Sequence, residues 1–280
     1  MKHLYILFFF LCIFIDGQMH RFIYEVDYRK DSTDQAKTKA YFLLDVTNQE
    51  TFYYSRDYFV MDSITRSGAA LDLSAFSGAP NLSPVTRHQL NTPTFDYYEV
   101  VEYNTLHLQS NEAQNWQLTS DVKQAGDLQL QKATCSWGKR NWTAWFAKEI
   151  PFNAGPEKFY GLPGIIFELQ DDRDQFSFKL IKSEVVKEIR ITEPLPFLMK
   201  ESIAVTNEKY RKAKLMWYDD PLSFLKNSNI VLNDDNWAML TDGTKVTKKN
   251  TREVILKQRE KLKKNNNPLD LNMIIHYPKN

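Results

Sequence analysis

The segment GPEKFYGLPGIIFEL, residues 155–169, is the stretch that decides the fold. It combines two turn signals, each a glycine beside a proline, with two adjacent aromatic residues and a following apolar run. We predict a rigid corner that delivers a strand into a sheet, because proline fixes its own φ and glycine accepts tight backbone approaches. Period-two alternation in that strand predicts that Ile165, Phe167 and Leu169 share one face.

The corner contains Gly161, Leu162, Pro163 and Gly164, none of which is an acid, a base or a nucleophile. Pro163 biases Leu162 toward extended geometry, and the two glycines supply backbone angles or close approaches that other residues resist. A structural corner is the favoured interpretation. Contact with a ligand or partner stays open as an alternative, and a catalytic role is restricted to backbone N–H groups.

Period-two alternation also dominates much of the remaining chain, and strand-favouring aromatic residues make up 14% of it. In the first such segment, Phe22, Tyr24, Val26 and Tyr28 share one face. Later hairpins are predicted around residues 48–50 and around Gly138-Lys139, with Trp142 and Trp145 on opposite faces of the strand that follows. Further alternating strands are predicted within residues 95–110, 115–120, 127–137 and 175–186.

The pattern weakens in two regions. Residues 57–73 predict a short helix, and residues 74–93, rich in glycine and proline, predict a loop. From about residue 187 the chain is mixed, with predicted helices at 204–218 and 251–264. We therefore predict one mainly β domain over residues 18–280, a curved antiparallel sheet or half-barrel with a few accessory helices, and an α+β fold as the alternative.

The first residues have the pattern of an export signal. Lys2 precedes an almost purely apolar run from Leu4 to Ile15, which is too short for a membrane span of about 20 residues. We predict a signal peptide at residues 1–17 and no integral membrane span after its removal. Cys135 is then the one remaining cysteine, so no internal disulfide is expected, and we predict that it is a small buried residue.

Composition excludes some functions. A formal charge of +1 gives no reason to expect a nucleic-acid partner. Histidine spacing shows no metal-ligand motif, and no nucleotide-binding loop or nucleophile elbow is present, so we predict no cofactor, no metal and no catalytic set. The acidic residues Asp171, Asp172 and Asp174, like the pair at 234–235, are interpreted as solvated turns.

The segments at 142–151, 155–169 and 267–271 together carry a family resemblance. GLPGII at 161–166 resembles the signature of the GLPGLI family, with Ile165 where that family usually has leucine. WTAWFAKEIP at 142–151, the stretch 155–169 and NPLDL at 267–271 resemble the family in the same order. The resemblance implies an exported Bacteroidetes protein of largely unknown function, in the periplasm or associated with the outer membrane. It brings no catalytic residues.

Three functions follow as hypotheses. The first is a non-enzymatic binding protein that holds an apolar ligand on the concave side of the sheet, lined by Trp142, Trp145, Phe159 and Tyr160 beside the 161–164 corner. The second is a partner of an outer-membrane receptor or secretion system. The third is an unrecognised enzyme, such as a hydrolase, whose residues only the fold brings together.

Overall fold

The fold is known from a computed structural model that describes residues 19–68, 81–90, 92–111, 113–186, 199–233, 236–240 and 242–278. The predicted signal peptide and the acidic pair at 234–235 lie outside the described residues. The same is true of residues 69–80, which end the predicted helical segment and begin the predicted loop.

Twelve strands form one sheet in the order β12-β6-β5-β4-β3-β2-β1-β11-β10-β9-β8-β7. Every neighbouring pair is antiparallel except β12 with β6, which is parallel. The strands are β1 Met19–Tyr28, β2 Thr38–Val46, β3 Glu50–Ser55, β4 Val85–Gln89, β5 Phe95–Val101, β6 Asn104–Ser110, β7 Gln117–Ala125, β8 Leu128–Trp137, β9 Arg140–Ala147, β10 Ile165–Asp171, β11 Phe176–Val186 and β12 Ile203–Ala204.

Four α-helices occur in the part of the chain that the structure describes: α1 Arg56–Arg66, α2 Asn207–Asp219, α3 Ser223–Asn227 and α4 Thr251–Lys264. A two-stranded sheet, β13 Ala238–Met239 with β14 Lys245–Val246, and a 3-10 helix, Leu271–Met273, complete the C-terminal region. The prediction of a mainly β fold with accessory helices is confirmed. Across the described ranges, no helix combines the length and apolar character needed to cross a bilayer.

Chain connectivity shows that the sheet is strongly curved. Strands β6 and β7 are separated by ten inter-strand spacings, which on a flat sheet would amount to about 48 Å. Only residues 111–116 connect them, and seven peptide units reach about 25 Å at most. The sheet must therefore bend until its two ends approach, which creates the concave face.

The concave face carries the main core. Phe22, Tyr24, Val26 and Tyr28 are all fully buried, which confirms the alternation predicted for β1. The same cluster draws on β2, β3, β8, β9, β10 and β11, so both halves of the curved sheet contribute to one apolar interior. Cys135 belongs to this cluster as a free thiol, and burial raises its pKa to about 12, as expected of an inert core residue.

Two predictions about strands were wrong. Strand β4 lies inside the predicted loop, because its Thr-Arg-His-Gln composition hides the alternation between its two faces. In β10, Ile166 pairs with Phe146 and Glu168 pairs with Trp145, so Phe167 is an extra residue in a β-bulge. The bulge moves Ile166, rather than Phe167, onto the face of Leu169, so Ile165, Phe167 and Leu169 do not share one face.

Residues 148–164, which we call the strap, connect β9 to β10 by crossing the concave face. On one side of the strap, the ring of Phe159 lies 4.7 Å from the ring centre of Trp142 and 5.1 Å from that of Trp137. On the other side, the ring of Tyr160 lies 4.6 Å from His88 of β4. The strap therefore fills the space between the two halves of the curved sheet.

The crossing connection 111–116 holds the strap in place. The indole Nε1 of Trp116 donates to the carbonyl oxygen of Tyr160 at 2.7 Å, and the amide of Tyr160 donates to Oε1 of Gln114 at 3.2 Å. The hydroxyl of Tyr24 donates to the carbonyl oxygen of Ile166 at 2.6 Å, which ties the beginning of β10 to the centre of the sheet. The first two bonds satisfy backbone groups of the strap that the sheet does not pair.

The predicted corner is confirmed at both glycines. Gly161 has φ +95°, a conformation that side chains rarely adopt. Gly164 has φ +154°, and a Cβ there would overlap the carbonyl oxygen of Ala147 and lie 3.0 Å from Cα of Lys148. The strap can therefore return to the sheet only because residue 164 has no side chain.

We predict that Gly164→Ala destabilises the protein by about 3 kcal/mol or more, because its methyl group would meet backbone that cannot move without breaking the β9–β10 pairing. Chemical denaturation measures the free energy of unfolding. The control is Gly126→Ala, at φ +61° with open space around it, which we expect to cost about 1 kcal/mol. Equal losses for the two variants would contradict a close approach at Gly164.

A buried arginine attaches the C-terminal segment to the sheet. Arg140 and Asp171, paired at 2.8 Å, have fully buried side chains. Arg140 also donates to Oδ1 of Asn267 at 2.6 Å and to the carbonyl oxygens of Pro268 and Leu269, each at 3.0 Å. The solvated-turn interpretation was therefore wrong for Asp171, whose carboxylate is part of a buried network.

We predict that Arg140→Lys costs about 2 kcal/mol, because lysine keeps the charge but cannot reproduce the planar fork of donors. The C-terminal segment should loosen first, so amide hydrogen exchange at Leu271, which donates to Gly138, should accelerate. The control is Arg173→Lys, whose exposed guanidinium makes one 3.3 Å bond. Unchanged exchange at Leu271 would show that Arg140 does not hold this segment.

Candidate functional site: a polar cavity beside the strap

A cavity with two chambers lies between the strap, the concave face of β5 and the C-terminal helices. The inner chamber has a volume of about 90 Å³ and the outer chamber about 270 Å³. Five residues line both chambers and so connect them: Asn81, Glu99, Lys214, Asn265 and Tyr277. The outer volume is near the lower end of the range for small-molecule sites.

Side chains from four elements meet at the inner chamber. Glu157 and Lys158 come from the strap, Glu99 from β5, Trp137 from the end of β8, and Lys214 from α2. Glu157 adopts φ +54°, in the left-handed region, and its side chain is turned into the protein, so that the residue is 3% exposed. An uncommon backbone conformation and deep burial of an acid thus occur at the same residue.

Lys158 extends from the strap over β5. Its Nζ lies 3.2 Å from the ring centre of Tyr97, a cation–π contact, and the residue is 8% exposed. On the same strand, Glu99 accepts a hydrogen bond from the hydroxyl of Ser83 at 2.9 Å. Tyr97 and Glu99 are two residues apart, so both side chains project from the concave face of β5.

Helix α2 forms the opposite wall. Tyr210 and Lys214 are four residues apart and therefore lie on one helical face, and both line the inner chamber. Trp217 continues this face into the outer chamber, where it faces the aromatic residues Tyr103 and Phe224. Both chambers are therefore lined in part by aromatic side chains.

Burial changes the protonation of these groups. It raises the pKa of Glu157 to about 8, against the lowering effect of Lys158 and with a further rise from Glu99. It also raises the pKa of Glu99 and lowers that of Lys214, while the opposite charges of Glu99 and Lys214 partly offset both shifts. Burial therefore favours the protonated carboxyl of Glu157, which can donate a hydrogen bond, over its anion.

Several buried polar atoms around the strap have no hydrogen-bond partner among the described residues. At the inner chamber they are Oε1 of Glu157 and Nε1 of Trp137. Nearby, the hydroxyl of Tyr53 on β3 is in the same condition, whereas the side chain of its β4 neighbour Thr86 interacts with the carboxyl of Glu157 and lowers its pKa. An unsatisfied buried group costs about 1–3 kcal/mol, so this concentration of such atoms needs a reason.

The structure separates the residues that the sequence predicted for a site. Trp142, Phe159, Leu162 and Gly164 are buried together in the main core. Trp145 lies on the other face of β9, where Nζ of Lys123 is 4.4 Å from its ring centre. Tyr160 is half-buried against His88, and Gly161 and Pro163 are exposed. None of the eight is among the residues that line the two chambers.

Sequence reasoning missed Glu157 and Lys158, although both lie in the stretch that it singled out. An adjacent acid and base in a Gly-Pro loop are typical of a solvated turn, so composition gave no reason to expect burial. The spacing of Tyr210, Lys214 and Trp217 on one face of α2 was the available signal. In the described ranges, no cluster of three or more His, Cys, Asp or Glu residues is arranged to hold a metal ion.

A family model described as a protein of unknown function (Porph_ging) matches residues 138–168. The matched segment begins at the β8–β9 turn, contains β9 and the whole strap, and ends within β10. It therefore includes Arg140, Glu157, Lys158 and Gly164. No curated protein matches the chain.

Two solved structures of PNGF-II, in the C2 and P21 space groups, are similar to this chain at 10% sequence identity. Their TM-scores are 0.48 and 0.49, and each alignment covers 70% of this chain. Each alignment covers 32% or 33% of the PNGF-II chain, so this chain spans about a third of the length of those proteins.

We predict that stability depends on pH through Glu157. The folded protein binds the proton more tightly than the unfolded chain, because the pKa rises from its ordinary 4.5 to about 8. The contribution of Glu157 to unfolding free energy is therefore fully present below about pH 4.5 and is lost as pH rises through 8. Glu157→Gln, which mimics the protonated acid, should be more stable than wild type at pH 9 and nearly equal to it at pH 4.5.

Thermal unfolding of the two proteins from pH 4.5 to 9 checks this expectation. The control is Glu149→Gln, an exposed residue on the same strap, which should follow wild type across the range. A constant difference between wild type and Glu157→Gln at every pH would show that the carboxyl titrates normally.

Proposed function

We propose that the protein is an exported cell-envelope protein that binds a small polar ligand in the two-chambered cavity. The observation that supports this proposal most directly is the buried carboxyl of Glu157 at the inner chamber. The residue is 3% exposed, and its Oε1 has no hydrogen-bond partner in the part of the chain that the structure describes. An apolar residue at position 157 would avoid the free-energy cost of burying a carboxyl group. A buried acid at this position therefore suggests a functional role. Binding sites characteristically combine a concave surface with a few buried polar groups and perturbed pKa values.

The ligand that this cavity favours is polar, in contrast to the apolar ligand suggested by the aromatic sequence. The ring of Phe159 already packs against Trp142 and Trp137, so the strap itself takes the position expected for an apolar ligand. Carboxyl, ammonium and amide groups remain at the cavity, from Glu99, Lys214 and Asn265. Aromatic side chains of the outer chamber supply the apolar surface that a ligand of mixed character needs.

The cell-envelope location is part of the same proposal. It is supported by the signal-like pattern of residues 1–17 and by the resemblance of GLPGII, at 161–166, to the GLPGLI signature. The match at 138–168 to a family of unknown function covers the same part of the chain. A ligand-binding protein there would meet small molecules released in or imported through the envelope.

A second candidate function is docking to an outer-membrane receptor or secretion system. One observation favours it: β7 is an edge of the large sheet, with Leu118 and Val122 51% and 55% exposed. Such an edge offers unpaired backbone groups to a strand of another protein. The two candidates are compatible because this edge and the cavity use different residues.

We predict that the protein isolated from its native envelope carries a small molecule in about one copy per chain, detected by native mass spectrometry. Lys158→Met, which keeps the aliphatic stem over Tyr97 but removes the ammonium, should reduce occupancy at least tenfold. Lys148→Met, an exposed change on the same strap, should leave occupancy unchanged. A wild-type protein without a bound small molecule, or equal occupancy in both variants, would contradict the proposal.

A further inference from the structure

Two deeply buried side chains at the inner chamber each keep one polar atom without a partner among the described residues. The indole Nε1 of Trp137, a residue that is 7% exposed, can only donate a hydrogen bond. The Oε1 atom of Glu157 accepts when the carboxyl is an anion, and the protonated carboxyl can both donate and accept. A group that fills the chamber must therefore serve an N–H donor and a carboxyl oxygen together.

The other charged groups of the inner chamber balance one another. Among the described residues that line it, the lysines Lys158 and Lys214 face the acids Glu99 and Asp270, so their formal charges cancel. Glu99 attracts both ammonium groups. Burial favours the uncharged form of the remaining acid, Glu157. The chamber therefore has no net charge that would select an ion, and a neutral ligand avoids the cost of desolvating a charge.

A hydroxyl group matches the two unpartnered atoms with a single neutral group. Its oxygen can accept from Nε1 of Trp137, and its proton can turn toward Oε1 of Glu157. When Glu157 is protonated, the hydroxyl oxygen has a second lone pair for the carboxyl proton. An ammonium group has no acceptor for Trp137, and a carboxylate brings a charge that the balanced chamber does not compensate.

The two chambers divide such a ligand into a head and a body. A volume of about 90 Å³ exceeds the space of a single water molecule and accommodates a hydroxymethyl group. In the outer chamber, Glu102 accepts from the hydroxyl of Ser223 at 2.7 Å, and Asp242 pairs with Lys261 at 3.0 Å. Because these acids are engaged, the outer chamber offers mainly its rings to the body of a ligand: Tyr103, Trp217 and Phe224.

We propose that the cavity binds a neutral alcohol, whose hydroxyl group lies between Trp137 and Glu157 and whose apolar body lies against the aromatic side chains of the outer chamber. This inference rests on the proposed binding function and names the chemical class of its ligand. Water competes for the same two atoms. The apolar body gives the alcohol its advantage over water, because its burial removes apolar surface from solvent.

Three probes that share one cyclohexane ring test the head group. Cyclohexylmethanol is neutral, cyclohexanecarboxylate is an anion and cyclohexylmethylammonium is a cation. Each is titrated into the full chain at pH 7 and followed through the indole ¹H–¹⁵N resonances. We expect cyclohexylmethanol to bind at least fivefold more tightly than either ion and to shift the resonances of Trp137 and Trp217. The resonance of Trp116, whose Nε1 already donates to Tyr160, should stay unshifted.

Substitutions then test the two polar atoms separately, with the Trp217 resonance as the reporter. Trp137→Phe should weaken cyclohexylmethanol at least fivefold, because the donor is lost. The control Trp145→Phe, on the other face of β9, should change the affinity less than twofold. Glu157→Met should also weaken the alcohol at least fivefold, and Glu157→Gln, which keeps an oxygen acceptor, should restore at least half of that loss on a logarithmic scale. If Glu157→Met does not fold, Trp137→Phe and the wild-type comparison decide the question.

The outcomes separate this inference from the function on which it rests. Equal affinity for the three probes, or tighter binding of either ion, would overturn the alcohol assignment while the binding function stands. The same holds if the molecule that co-purifies has no hydroxyl group. A Trp137 resonance that does not shift, or an affinity unaffected by Trp137→Phe, would leave only water in the inner chamber and would also overturn the assignment. If no small molecule co-purifies and no probe binds, both are wrong.

Discussion

The backbone contact of Gly164 with Ala147 is the constraint on which the rest of the structure depends. A curved sheet of twelve strands has a concave face that must be covered, and no helix among the described residues contributes to the core cluster on that face. The chain covers that face with its own connection between β9 and β10. This is possible only if the strap turns back onto the sheet with no side chain at residue 164. The glycine and proline corner therefore allows the strap to pack against the sheet.

The strap also explains how ionisable groups come to be buried. Phe159 is anchored among tryptophan rings on one side, so the neighbouring residues Lys158 and Tyr160 must face β4 and β5 on the other. Glu157 is carried into the same interior, where burial and Glu99 oppose its ionisation. Arg140 then holds the C-terminal segment against the sheet and so closes the cavity from the other side. The packing of Phe159 and the buried ion pair of Arg140 with Asp171 together define the polar chamber.

Local patterns predicted much of the fold and little of the candidate site. Period-two alternation identified β1 and its buried face, because the alternation lies within the sequence of the strand itself. The bulge at Phe167 escaped prediction, because it depends on how the strap enters the sheet rather than on the strand's composition. Glu157 and Lys158 escaped for a similar reason: their burial results from α2 and the 265–277 segment, which are distant in sequence. The two glycines of the corner were predictable, since backbone conformation is a local property.

The central claim is that the strap buries the carboxyl of Glu157 at a chamber on the concave face. Its most direct test is the titration of that carboxyl by ¹³C NMR, with Glu149 as an exposed reference on the same strap. Our account predicts a midpoint near pH 8 for Glu157, well above the ordinary value for glutamate. A midpoint close to the ordinary value for glutamate would show that the acid reaches solvent, and would contradict its burial beneath the strap.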